Sequence, residues 1–374
     1  MYLIFSAHYD IRPKRAQNLE WYLAMMNQFP NSYFVVNRDY LRPDPSRWEF
    51  ARARKNNPRF SFKRPKNITV VKRAEEWDEF KNEQIPSNII KGFAKTPVKE
   101  LYNILENIIR NNKIEAALTL INNRTLKEVC NKHNIPVIHN EQGPLRPPYF
   151  FRGMFFDFSG VNGDTEFYNR FLEFKKIANE VKIYSREELL KIISRPEQYE
   201  NVKRFRDTLP SYECGVALQV DIDSNMTAFN EGWTSADAVN KALKEHGKAL
   251  IRNHPVSSMQ YASPVSLPNG IKDKSKDSLE FISQCKKVIT INSSVALEAL
   301  FLNREVEVLG DSPFKEMAKM EPDEQLLALN FMVFSYLIPG PMYYNDKYYK
   351  YRIMEKDEKV LYNNGIKLVL GENK

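Results

Sequence analysis

Short apolar runs alternate with stretches of helical period through the first third of the chain. Tyr2–Ser6, Tyr33–Asn37, Ile68–Val71, Ala116–Ile121 and Pro136–His139 are brief and rich in β-branched and aromatic residues, which predicts strands. Between them, Lys14–Met26, Val98–Asn111 and Thr125–His133 carry apolar residues at helical spacing, and Asn123-Arg124-Thr125 supplies a capping start for the last. This β-α-β rhythm predicts a mostly parallel sheet covered by helices. A second rhythm follows. Gly215–Val220, Ala249–Arg252, Val288–Ile291 and Val306–Leu309 read as strands. Ser235–His246, capped by Thr234 or Ser235 and stopped by Gly247, reads as a helix, as do Asp277–Lys286 and Val295–Leu302. Thr165–Pro210, between the two rhythms, is helical and charged.

The expected fold class is therefore α/β, with two Rossmann-like domains. The length of 374 residues agrees, because a single core stops growing near ~250–300 residues. The boundary is expected near Pro210, with an N-terminal domain over 1–205, a C-terminal domain over 206–340, and a tail, 341–374, packing back on the first. The apolar stretch Gln325–Ile338 is shorter than the ~20 residues a bilayer requires and reads as a buried helix.

Charge and cysteine narrow the partners. Lys and Arg exceed Asp and Glu by 55 to 47, which points to nucleic acid, an anionic membrane surface or a phosphorylated small molecule. Arg42–Arg73 and Tyr343–Tyr351 are basic and aromatic, and both are candidate surfaces for a charged or lipid-linked partner. Nucleic acid ranks low, because no RRM, KH or helix-turn-helix pattern accompanies the Arg52–Lys66 run. Cys130, Cys214 and Cys285 are odd in number and widely spaced, which excludes a disulfide framework and a CxxC zinc site and fits a cytoplasmic protein. The start of the chain lacks the basic flank of a signal peptide.

Candidate chemistry gathers at three strand ends of the second rhythm, the edge where open α/β sheets bind ligands. In Leu218-Gln219-Val220-Asp221-Ile222-Asp223-Ser224, alternation puts Gln219, Asp221 and Asp223 on one face, and a strand-tip carboxylate suits a nucleophile, base or metal ligand; the same acids also suit a turn. In Arg252-Asn253-His254-Pro255, Pro255 ends the strand and turns His254, and with it Arg252, over the sheet edge; a structural histidine is the plainer reading. In Asn292-Ser293-Ser294, a strand runs into a helix start that favours phosphate or is simply capped by serine. Glu298, one turn on, faces a ribose or solvent.

Taken in order, these pieces resemble the CMP-sugar transferases. Bacterial sialyltransferases carry such His-Pro and Ser-Ser pairs. The match is closer to the retaining β-Kdo transferases of capsule and O-antigen synthesis, which resemble this chain at Gln219–Ser224, at His254-Pro255 and at Asn292–Leu300. Glu141-Gln142-Gly143-Pro144-Leu145-Arg146-Pro147, Phe156-Asp157 and Gly160-Val161-Asn162 also look like that family's Glu-x-Gly…Arg-Pro…Asp…Gly-x-Asn segment. The resemblance spans about 140–310.

It implies a GT-B architecture, with two Rossmann-like domains facing a cleft, and CMP-β-Kdo as donor on the C-terminal domain. It implies double displacement by an aspartate, Asp223 ahead of Asp221, because more distant capsule relatives keep an acid at the former position. His254 and Pro255, Asn292, Ser293, Ser294, Glu298, Gln219 and Arg252 become expected donor contacts, with Arg252 on the Kdo carboxylate. Glu141 becomes the expected acceptor base, and Gln142, Arg146, Asp157 and Asn162 expected sugar or acceptor contacts; a structural ion pair is the alternative for Arg146. No cofactor and no metal are expected, because the leaving group is a monophosphate. The expected acceptor is a glycan, free or lipid-linked, at the cytoplasmic face of the inner membrane. The competing readings are a transferase for another CMP-activated nonulosonic acid, such as a sialic acid, and a GT-B-type sugar-nucleotide epimerase.

Overall fold

The computed structural model describes residues 1–6, 16–37, 65–71, 98–220, 224–254 and 269–371. The chain divides into two compact units, one of Met1–Glu141, Phe158–Val161 and Pro341–Met354, the other of Gln142–Asp157, Asn162–Gly340 and Glu355–Lys374. Most of 142–205 thus lies in the second unit.

The first unit follows the predicted rhythm: β1 (Tyr2–Phe5), α1 (Ala16–Gln28), β2 (Tyr33–Asn37), β3 (Asn67–Val71), α2 (Lys99–Asn111), β4 (Ala116–Thr119), α3 (Arg124–Lys132) and β5 (Val137–Gln142). The strands are parallel in the order β5-β4-β1-β2-β3. Leu3, Ile4, Phe34, Val35, Ala117, Leu118 and Ile138 have no solvent exposure, as continuous apolar strands covered on both faces require. The amphipathic α2 turns Leu101, Leu105, Ile108 and Ile109 inward.

The second unit opens with β6 (Gly153–Asp157), followed by α4 (Phe167–Lys176), α5 (Arg186–Ile193) and α6 (Tyr199–Asp207). Its main sheet comprises β7 (Tyr212–Ala217), β8 (Ala249–Arg252), β9 (Gly270–Lys272), β10 (Cys285–Thr290) and β11 (Glu305–Val308). The connecting helices are α7 (Ser224–Phe229), α8 (Ser235–His246), α9 (Ser278–Ser283) and α10 (Val295–Phe301). All five strands are parallel, in the order β11-β10-β7-β8-β9. One face is covered by Ala238, Val239 and Ala242 of α8; the buried apolar residues of α9 and α10 belong to the core on the other. Helix α8 has the predicted bounds, with a Thr234–Asp237 capping box and Gly247 at its end. The fold class read from the sequence, α/β with two Rossmann-like units, is the observed one.

The apolar stretch expected to form one buried helix is buried but breaks. After α11 (Pro313–Lys319), α12 (Pro322–Phe331) passes into a π-helical turn over Met332–Tyr336, then into β12 (Leu337–Pro339), which pairs antiparallel with β6. The tail forms α13 (Asp346–Met354) in the first unit and α14 (Glu358–Leu370) in the second. In the Tyr343–Tyr351 stretch, Tyr343 and Tyr349 are buried, the Tyr349 hydroxyl donating to the Tyr343 carbonyl at 2.7 Å, whereas Tyr344, Tyr348 and Tyr351 are half-buried. Of Arg42–Arg73, only residues 65–71 are described. All three cysteines are free and buried, and burial pushes the Cys130 and Cys285 thiols up to about 12. Among the described residues, no helix is long and apolar enough to cross a membrane.

Candidate functional site

The three motif-bearing strand ends of the second unit lie side by side. Ala217 of β7 is in register with Thr290 of β10 and with Arg252 of β8, so the residues that follow leave the sheet at one edge. The chain lays down β7 first, then β8 and β9 on one side of it and β10 and β11 on the other. The topological switch point, where an open α/β sheet parts its loops to admit a ligand, lies between β7 and β10.

Two of the predicted donor residues meet at that point. The Gln219 Nε2 donates to Asn292 Oδ1 at 2.8 Å, the Asn292 backbone N–H donates to Gln219 Oε1 at 3.0 Å, and Asn292 Nδ2 donates to the Asn225 carbonyl at 3.2 Å. Asn292 is buried, so these bonds satisfy amide groups that water cannot reach. Both side chains therefore serve as the frame that joins the β7 tip, α7 and the β10 tip. The alternation read from the sequence does not persist this far. Strand β7 ends at Ala217, so Gln219 stands in a loop rather than on a strand face. Asp221 and Asp223 lie outside the described residues, between Val220 and the start of α7 at Ser224.

At the β8 tip, Arg252 is held by its own unit. Its Nη1 donates to Asp273 Oδ2 at 2.5 Å and to the Ser275 carbonyl at 3.2 Å, while Asp273 Oδ1 accepts from the Ser275 hydroxyl and amide. Asp273 and Ser275 were not legible as partners, because they reach Arg252 only through the β8–β9 pairing. His254 follows, half-buried, and Pro255 lies outside the described residues.

At the β10 tip, the two serines differ. The Ser293 Oγ accepts the Val295 N–H at a long 3.3 Å, whereas Ser294 occupies the cap position of α10 without a side-chain capping bond. Ordinary capping thus accounts for the first serine and not the second. Glu298, in the first turn of α10, is half-buried. Burial pushes its carboxyl up to about 7, against the lowering effects of a Ser278 hydrogen bond and the Arg146 and Arg252 charges, with Asp277 adding to the rise. A carboxyl poised near neutrality can donate or accept a hydrogen bond.

The Glu141–Pro147 motif forms a tight turn at the end of β5. Gly143 is required there, because a Cβ would stand 2.3 Å from the Gly153 carbonyl oxygen. Arg146 is exposed; its Nε donates to the Gly143 carbonyl at 2.7 Å and its Nη2 to that of Gln142 at 3.3 Å. It closes its own turn, and its charge acts on Glu298. Glu141 and Gln142 are half-buried. Asp157 is not placed for the sugar contact expected of it. It has no solvent exposure, and its Oδ2 accepts the Tyr336 hydroxyl at 2.6 Å and the Glu166 N–H at 3.0 Å. Asn162 is half-buried with a left-handed backbone, φ 67°. Among the described residues, no group of three or more His, Cys, Asp or Glu could hold a metal ion.

Residues 5–166 match the Glycosyltransferase 99 family N-terminal domain, and residues 271–319 match the capsule polysaccharide biosynthesis protein family. The resemblance read from the motifs is borne out by these two matches, which support a glycosyltransferase of the capsule-synthesis type. No curated protein matches it. Among solved structures, it is similar to the Thermosulfurimonas dismutans KpsC β-Kdo 2,7 transferase, at 14% identity and a TM-score of 0.40, over 64% of this chain and 89% of that one. The KpsC β-Kdo 2,4 transferase of the same organism is similar at 13% identity and a TM-score of 0.38, over 58% of this chain and 79% of that one. A Methanocaldococcus jannaschii UDP-GlcNAc 2-epimerase is similar at 13% identity and a TM-score of 0.33, over 89% of this chain and 92% of that one.

Proposed function

We propose that this glycosyltransferase moves Kdo from CMP-β-Kdo to a glycan acceptor with retention of configuration, by double displacement through Asp223. The observation that supports the reading is the Gln219–Asn292 clasp at the switch point, which ties the loop leading to Asp221 and Asp223 in the sequence to the Asn-Ser-Ser tip. An anomeric centre and the phosphate it leaves must be handled within a few ångströms of each other, and these are the two tips whose residue types suit those tasks.

The anomeric carbon of Kdo is tertiary and bears a carboxylate, so its transition state is oxocarbenium-like and a neighbouring carboxylate traps it. In the first displacement an Asp223 oxygen bonds to that carbon as the bond to the CMP phosphate breaks, and the electron pair leaves on the phosphate. His254 and the hydroxyls of Ser293 and Ser294 stabilise that departing charge. Glu298 receives the ribose hydroxyls. In the second displacement Glu141 takes the proton of the acceptor hydroxyl, whose oxygen replaces the Asp223 ester. Two inversions give net retention. The acceptor is a glycan, free or lipid-linked, met at the cytoplasmic face of the inner membrane.

Intact-mass spectrometry after incubation with CMP-Kdo alone tests donor and mechanism together, and the expected result is a single Kdo-sized adduct. If CMP is released from CMP-sialate and not from CMP-Kdo, the donor assignment is wrong. Turnover of CMP-Kdo with inverted product would remove the double displacement.

A further inference from the structure

Residues 162–164 belong to the second unit, and the way they are held there is unusual. Asn162 and Asp164 have φ of 67° and 54°, in the left-handed region that few non-glycine residues occupy. Gly163 between them leaves no room for a side chain: a Cβ would stand 2.2 Å from Phe229 Cδ1 and 2.7 Å from Asp311 Oδ2. Asp311 Oδ2 accepts the Asp164 N–H at 2.9 Å, and the Asp311 N–H donates to the Phe229 carbonyl at 2.8 Å. Phe229 is the last residue of α7, the helix that begins directly after Asp223, and Asp311 lies in the loop that follows β11. The turn is therefore pinned at the carboxyl edge of the C-terminal sheet. Strained backbone persists where its surroundings over-determine it, and such places gather at functional sites. The Asn162 carboxamide makes no hydrogen bond among the described residues, so the strain is not explained by a structural role for that side chain.

We propose that Asp311 is a positioning residue for sugar transfer: it clamps the 162–164 turn on Phe229 and so delivers Asn162 to the sugar-nucleotide at the carboxyl edge. This rests on the donor reading above. Three variants of the full chain test it by CMP release from CMP-Kdo. Asp311→Ala raises the KM for CMP-Kdo about tenfold or more, since a displacement near 1 Å can lower rates by ~10²-fold. Asp311→Asn, whose carboxamide oxygen still accepts the Asp164 N–H, stays near wild type. Asn162→Ala raises the same KM without touching the clamp. Amide exchange at Asp164 reads the clamp with no donor present, slow in wild type and Asp311→Asn and fast in Asp311→Ala. An unchanged KM in Asp311→Ala or in Asn162→Ala overturns the proposal, as does Asp311→Asn failing as badly as Asp311→Ala. A wild type that releases no CMP from CMP-Kdo sinks the donor reading instead. Equal Asp164 exchange in wild type and Asp311→Ala would then dispose of the clamp separately.

Discussion

The five parallel strands of the first unit and the five of the second follow one order, yet their carboxyl edges use similar residues differently. Strands β4 and β10 both end on threonine, and the helix after each is capped four residues later. In the first unit the polar groups of this turn close on their own backbone. Asn122 binds the Val161 carbonyl and amide at 3.0 and 2.8 Å, and Asn123 caps α3 by accepting the Leu126 N–H at 2.8 Å. In the second unit Asn292 reaches across the switch point to Gln219, and Ser294 makes no capping bond. The same topology thus seals one edge and leaves the Ser294 hydroxyl open at the other, so the chemistry lies in a handful of side chains rather than in the fold.

The largest expected effect breaks that contrast at its centre. Asp223→Asn lowers transfer by roughly a thousandfold or more, as loss of a nucleophile does, while calorimetry finds CMP binding nearly intact. A dead Asp221→Asn beside an active Asp223→Asn would move the role two residues back. Next come the two asparagines. Asn292→Ala and Asn122→Ala each strand buried partners, at about 1–3 kcal/mol of stability by thermal melts. Only Asn292→Ala also weakens CMP binding; equal loss of binding in both would erase the distinction between the edges.

Glu298 gives a pH-dependent version of the test. Its folded value of about 7 lies above its ordinary 4.5, so the stability tied to its proton is full below about 4.5 and is lost as pH rises through about 7. Glu298→Gln has no proton to lose, so its stability, read by thermal melts, gains on wild type between pH 5 and pH 8 by on the order of 1–3 kcal/mol. A gap that does not change with pH would place the carboxyl in water. The smallest effect is at the helix caps: Asn123→Ala loses about 1 kcal/mol of stability, whereas Ser294→Ala loses almost none and weakens CMP binding instead.

Most of the fold was legible because strand and helix periods were clean and locally capped, as at Thr234, Asn123 and Gly247. The site was legible as three separate tips, and the resemblance put them in one order. Contacts that close only over long sequence separations were hidden. Asp157 looked like an exposed motif acid because its partner, Tyr336, lies 179 residues away. Gln325–Ile338 looked like one helix because nothing local announces that Leu337 pairs with Phe155. Gln219 looked like a strand residue because alternation continues past the point where β7 stops at Ala217. Local pattern specifies elements; which polar side chains become frame and which remain available is decided by tertiary partners.

Arg170 gives the far end of the chain a consequence of its own. Its guanidinium lies over the rings of Phe331 and Tyr336, and Glu358, at the start of α14, receives it through both carboxylate oxygens, at 2.6 and 3.1 Å. A polypeptide released before Glu358 is synthesised keeps the arginine with only the longer pairing to Glu166, at 3.2 Å, and removing one partner of a buried pair costs up to about 3–5 kcal/mol, a large part of the stability of a typical domain. The last helix therefore completes the unit it closes: a chain that stops short of it carries every motif of the C-terminal edge and still lacks the two-oxygen carboxylate that holds Arg170.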